Sequence, residues 1–147
     1  MKGTVDVGGV AGEKWGSMTA CYATGNVTLE IDSPKNLSGG GLVGFNGGSS
    51  VLACYATGNV TSTGRSTGYV HIGGFLGDNY TYLTVCYWKN KHEQGIGNNT
   101  KSTKATKVDG TDVTWQKAVD TMNTALQTAG SKWRYELTGA LPTLRKQ

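Results

Sequence analysis

Proline is nearly missing from this chain. Two residues in 147 are proline, against 23 glycines, and the glycine share is roughly twice the usual 7 per cent or so. A disordered Pro/Gly-rich polymer needs both residues, so the glycines require a positional explanation instead. Cysteine occurs three times and histidine twice. No pair forms CxxC, no Cys/His spacing suits zinc, and an odd number of thiols denies a fully paired disulfide framework. No run approaches the roughly 20 apolar residues of a membrane-spanning helix, and the opening MKGTVDVGGVAGEKWGS lacks the apolar core of a secretory signal. The expectation is a soluble, untargeted segment with no membrane insertion, cut from a longer exported protein.

Catalytic pairings are also scarce. His92-Glu93 could begin the HExxH of a zinc protease, but the fifth position is Ile96, so two histidines cannot share a metal across one helical turn. His71 has no partner at metal spacing, and both histidines read as surface or turn residues. The acids Asp6, Glu13, Glu30, Asp32 and Asp78 are expected to share no column of the repeat described below, which leaves no carboxylate pair for glycoside chemistry. The sequence nominates no catalytic residue, metal ligand or cofactor, and the chain is expected not to be an enzyme. Its net charge is +4, with Lys89, Lys91, Lys101, Lys104 and Lys107 opposed only by Glu93, and Lys132, Arg134, Arg145 and Lys146 only by Glu136. These cations sit among Thr, Ser, Asn and Gly, a solvated pattern unlike an aromatic-studded nucleic-acid surface.

What is present is repetition. CYATGNVT occupies residues 21 to 28 and again 54 to 61. A shift of 32 or 33 residues extends the match to three copies, from Val7, Gly39 and Ile72, each carrying GGxxG and then Cys-Tyr. The second copy has one extra residue before its cysteine, which a loop absorbs. A fixed period of this size marks a unit that buries its apolar face only by stacking on its neighbour. The apolar segments are short and bounded by Gly, Asn, Ser and Thr, so they read as strands. The fold class expected is mainly β: a parallel β-helix-like solenoid of about three 32–33 residue repeats.

Stacking turns equivalent positions into columns. Gly9, Gly41 and Gly74, with Gly12, Gly44 and Gly77, predict positive φ or close backbone approach at bends. Cys21, Cys54 and Cys86 read as a ladder of buried small hydrophobes, with pairing left open. Tyr22, Tyr55 and Tyr87 share parity with apolar neighbours such as Met18, Val51 and Leu83 and are therefore expected in the core. A bend just before each cysteine would let cysteine and tyrosine both be internal. A glycan platform on the tyrosine column is the alternative. Asn26 and Asn59 predict a turn or an asparagine ladder, and the sequons at Asn26, Asn36, Asn59, Asn79 and Asn98 are read as coincidental.

The run GGLVGFN followed by CYATGNV resembles the GLUG motif of repetitive bacterial cell-surface proteins, including adhesin-like and immunoglobulin A protease-like proteins. CYWKN resembles the closing repeat of such arrays. The likeness covers about residues 7 to 91 and implies a β-helix-like stack on a secreted or surface-anchored bacterial protein, without implying a ligand.

Beyond the repeats, the reading is one domain over 1–147, with repeats in 1–91, a polar loop in 92–113 and a C-terminal cap in 114–147. Trp115, Ala118, Val119, Met122, Ala125, Leu126 and Ala129 form one stripe of a helix of about four turns, with Thr114 or Asp112 as N-cap and Gly130 as the stop. The helix is expected to plug the open end of the coil, with Trp133, Tyr135, Leu137, Leu141 and Leu144 in short strands beside it. Residues 1 to 6 read as the tail of a preceding copy, an end that would fray or accept further repeats. The function expected is a non-catalytic repeat module acting as adhesive surface, stalk or spacer. Alternatives are a glycan-binding module using the tyrosine column, or an accessory region of a secreted protease or polysaccharide-degrading enzyme. Host protein or glycan, and adjacent repeats of the parent protein, are the partners this reading allows; the binding residues stay unknown.

Overall fold

The computed structural model describes residues 4–32, 36–101 and 103–147, so any part played by Met1 lies outside the described residues. The first copy supplies β1 (Thr4–Gly8), β2 (Ala11–Lys14), β3 (Met18–Thr19), β4 (Tyr22–Ala23) and β5 (Val27–Asp32). The second supplies β6 (Asn36–Gly40), β7 (Val43–Asn46), β8 (Val51–Leu52), β9 (Tyr55–Ala56) and β10 (Val60–Arg65), and the third β11 (Val70–Gly73), β12 (Leu76–Asn79), β13 (Leu83–Thr84) and β14 (Tyr87–Trp88). Then come β15 (Ile96–Asn99), β16 (Thr106–Lys107), the helix α1 (Trp115–Thr128), β17 (Trp133–Glu136) and β18 (Thr143–Lys146).

Each strand of one copy pairs in parallel with its counterpart in the next. The sheets are ordered β1-β6-β11, β15-β12-β7-β2, β13-β8-β3, β16-β14-β9-β4 and β10-β5. Register follows the sequence repeat, with Tyr22 opposite Tyr55 and Tyr55 opposite Tyr87. The protein is mainly β, and its parallel ladders are consistent with a β-helix-like fold. The extra residue of copy two falls in the Gly47–Gly48 turn, where Gly48 takes φ +69°. Residues 4–8 pair along their whole length with β6 in the register of the repeat.

The glycine columns serve close approach, since none of the repeat glycines is among those with positive φ. A Cβ on Gly44 would come within 2.6 Å of Val7 N and 2.8 Å of Ser38 O, and one on Gly77 within 2.6 Å of Gly39 N. Glycine lets the sheet of β2, β7 and β12 lie backbone to backbone against the sheet of β1, β6 and β11. Positive φ occurs instead at Ala20, Ala53 and Val85, all at 53°. This is the expected bend before each cysteine, and it is costly for residues with a Cβ. Each cysteine thiol donates back across it, to Thr19 O at 3.4 Å, Leu52 O at 3.3 Å and Thr84 O at 3.7 Å.

The bend reverses which side faces inward. Met18, Val51 and Leu83 join Cys54 and Cys86 inside the coil with Leu42, Val43, Phe75 and Leu76. Ala20, Ala53, Tyr55 and Tyr87 face the other way and form a second cluster with Trp115, Ala118, Val119, Met122, Leu126 and Tyr135. The helix thus covers the flank of the coil and not its open end. The cause is the reversal, which leaves a lateral apolar face needing cover. Thr114 caps the helix by accepting from Lys117 N at 3.3 Å, and the stop is a Schellman motif: Ser131 N donates to Leu126 O and Gly130 N to Gln127 O, each at 3.0 Å, with Gly130 at φ +75°. Tyr135, on the antiparallel β17–β18 pair, donates its hydroxyl to Ala53 O at 2.7 Å.

Residues 92–113 are not a loop throughout. Ile96 stacks on Leu76 and Thr106 on Tyr87, at shifts of only 20 and 19 residues, giving a shortened fourth turn. At the same end Trp88 takes the place that Ala23 and Ala56 hold below it. Its indole fills the narrowing interior against Gly74 and Gly95, where added Cβ atoms would lie 2.7 and 2.3 Å, respectively, from ring atoms of Trp88 in a position an alanine would leave empty.

Candidate ligand-presenting face

The tyrosine column is not available to a ligand along its length. Tyr55 is fully buried, Tyr87 nearly so and Tyr22 partly. Tyr22 stacks on Tyr55 with centroids 5.0 Å apart and planes 3° apart, and Tyr55 meets Trp115 at 4.9 Å and Tyr135 at 5.8 Å. Its hydroxyl donates to Pro142 O, and burial pushes its ionisation well above the usual phenol range. The cap therefore occupies the surface that a glycan would need; the column is buried, but at the coil–cap interface and not on the inner face of Met18, Val51 and Leu83 where parity placed it, because the bend at Ala20, Ala53 and Val85 reverses the alternation.

The three cysteines are free and aligned: Cys21 N donates to Cys54 Sγ at 3.4 Å. Thiol hydrogen bonding from Cys54, then burial, raises the pKa of Cys21; Cys54 is lowered by Cys21 but raised further by Cys86 and burial. Both remain protonated, inert thiols. His92 is a turn residue whose Nε2 meets Val60 O at 2.6 Å, and Asn26 and Asn59 form the expected ladder, Asn26 Oδ1 accepting from Asn59 N at 3.0 Å and Asn59 Oδ1 from Lys91 N at 3.1 Å.

Two expectations need correction. Glu13 and Asp78 do share a column, with Phe45 between them, because each follows directly the column of Gly12, Gly44 and Gly77. His71 is not a turn residue: it lies in β11, and its Nδ1 is 2.8 Å from buried Asp78 Oδ1, which also accepts from Asn98 Nδ2 at 2.8 Å. Folding β1, β6 and β11 against β2, β7, β12 and β15 brings Asp6, Ser38 and His71 of one ladder against this second column. Ser38 Oγ donates to Asp78 Oδ2. Asp6, across the bend, has its pKa raised to about 6, first by burial, then by a hydrogen bond shared with Glu13 and by that residue's charge. Tyr69 stacks on His71 at 4.2 Å.

Above this polar floor runs an exposed aromatic strip that the sequence reading did not single out. Trp15 of the first copy meets Phe45 of the second at 5.3 Å, and Phe45 meets Tyr80 of the third at 5.2 Å. These steps are close to the ~4.8 Å rise between paired strands. Trp15 is 61 % exposed, Tyr80 45 % and Tyr82 59 %. The indole is nonetheless seated: a Cβ on Gly47 would come within 2.8 Å of its ring and 3.1 Å of Phe45. Its Nε1 donates to Glu13 Oε2 at 3.5 Å. Beneath, Asn46 Nδ2 donates to Asn79 Oδ1 at 2.8 Å and Asn79 Nδ2 to Asn99 Oδ1 at 3.0 Å. Lys14 holds the matching position in the first copy, and its Nζ donates to Ser49 O. Lys101 Nζ lies 5.6 Å from the Tyr82 ring at the far end. The signal was present in sequence as aromatic residues one or three places beyond the last glycine column, but aromatic identity varies between copies and the column test looked for sameness.

Comparison with known families finds the GLUG motif at residues 36–61, which spans the second copy from β6 into β10. No curated protein and no solved structure gives a significant match.

Proposed function

We propose that this chain is a non-catalytic β-solenoid module of a bacterial surface or secreted protein, serving as a rigid stalk or adhesive surface. The observation that carries this reading is the in-register parallel pairing of all five strands of copy two with those of copy one, because such a coil gives a stiff column with side faces fixed in space. The GLUG motif supports the location through its occurrence in bacterial surface proteins.

The polar cluster favours support over catalysis. Ser38, Asp78 and His71 lie together, but the carboxylate sits between serine and imidazole, so the imidazole does not reach the hydroxyl, and Ser38 is fully buried, out of reach of a substrate. Antibody labelling of intact producing cells tests the location, and an assay of the purified chain on peptide and polysaccharide panels tests the rest. Surface labelling without turnover is the expected result; an exclusively cytoplasmic location, or turnover abolished by Glu13→Gln, would overturn it.

A further inference from the structure

We propose that the Trp15–Phe45–Tyr80 strip is a binding site for a single chain of a neutral polysaccharide, lying along the stacking direction. The proposal rests on the module reading above and names the ligand class of its open face. The rings form a line one ring wide, each step supplied by the next copy at 5.3 and 5.2 Å. A linear polymer whose units each offer an apolar face meets such a line at every step, whereas a protein partner needs a broad patch. The rings are tilted 43° and 29° to one another, which suits a free twisted chain better than the flat face of a crystalline polymer.

Polar groups fit the same occupant. Glu13, exposed and bonded to the indole, and the hydroxyls of Tyr80 and Tyr82 border the rings as hydrogen-bonding partners for sugar hydroxyls. Glu13 on the border and Asp6 and Asp78 in the floor, the last paired with His71, outweigh Lys101 at the far end and leave the strip acidic on balance, which disfavours anionic polysaccharides, phosphates and anionic lipid. The seating of Trp15 on Gly47 and the asparagine ladder below fix the rings before a ligand arrives, so little ordering is required on binding.

The test is titration calorimetry of the chain with neutral hexasaccharides of glucose, xylose and N-acetylglucosamine, and with polygalacturonate. Binding of at least one neutral probe is expected, weakened about tenfold or more in Trp15→Ala and in Tyr80→Ala while both variants keep the parent melting temperature, and retained in Trp15→Phe. A Trp133→Phe variant controls for the other exposed indole and should bind as the parent does. No binding by any neutral probe, equal binding by Trp15→Ala, or preference for polygalacturonate would overturn the site. Surface labelling of producing cells is read independently, so the site can fail while the module reading stands.

Discussion

Two aromatic columns run along the stack on different faces, and they have opposite fates. Tyr22, Tyr55 and Tyr87 are one residue type at one offset, and they are covered by α1 and the β17–β18 pair. Trp15, Phe45 and Tyr80 differ in type and in position; Trp15 and Tyr80 are exposed, with Phe45 half-buried between them. Identity between copies thus marks a column whose surroundings are the same in every turn, which is a packing requirement. Variation marks a surface where only the chemistry of a flat ring is kept.

The comparison breaks most visibly at Tyr55. Tyr55→Ala should cost about 3–5 kcal/mol in chemical denaturation, since it empties a fully buried site between coil and cap; a loss below about 1 kcal/mol would mean that the cap does not depend on this column. Tyr135→Phe keeps the ring but removes the donor to Ala53 O, and should cost about 1–2 kcal/mol in the same measurement.

Asp6→Asn probes the floor beneath the open face. The Asp6 carboxyl keeps its proton in the fold up to about pH 6, against a reference near 3.8. Between these values the folded state holds more protons than the unfolded one, so this group's contribution falls as pH rises through the window. The stability of the asparagine variant relative to the parent should therefore increase from pH 4 to pH 6, and denaturation across that range checks it. The smallest effect belongs to Trp15→Ala, which should change stability by less than about 1 kcal/mol, the counterpart of the loss at Tyr55.

Much of this was legible in the sequence where sameness recurs. CYATGNVT set the register, the glycine columns pointed to positive φ or close approach, of which the second holds, and the run from Trp115 to Gly130 marked the helix and its stop, with the N-cap left between Thr114 and Asp112 until the structure chose Thr114. The location of the cap was not legible, because the reversal at Ala20, Ala53 and Val85 uses residues that carry no positive-φ signature. The fourth turn was hidden because it is shortened: Ile96-Gly97-Asn98-Asn99 matches Leu76-Gly77-Asp78-Asn79 only at a shift of 20, outside the 32–33 period. The His71–Asp78 pair escaped a search for metal spacing, since seven residues of sequence become one contact only when two sheets fold face to face.

The shortened fourth turn gives the column a direction. Among the described residues it offers strand partners to β12 and β14 but none to β11 or β13, so the cross-section tapers at that end. An added full-size copy would find only part of its footing there, whereas the opposite edge keeps the whole outline. Stacking of a further unit is therefore favoured on the full outline of β1–β5 over the tapered edge.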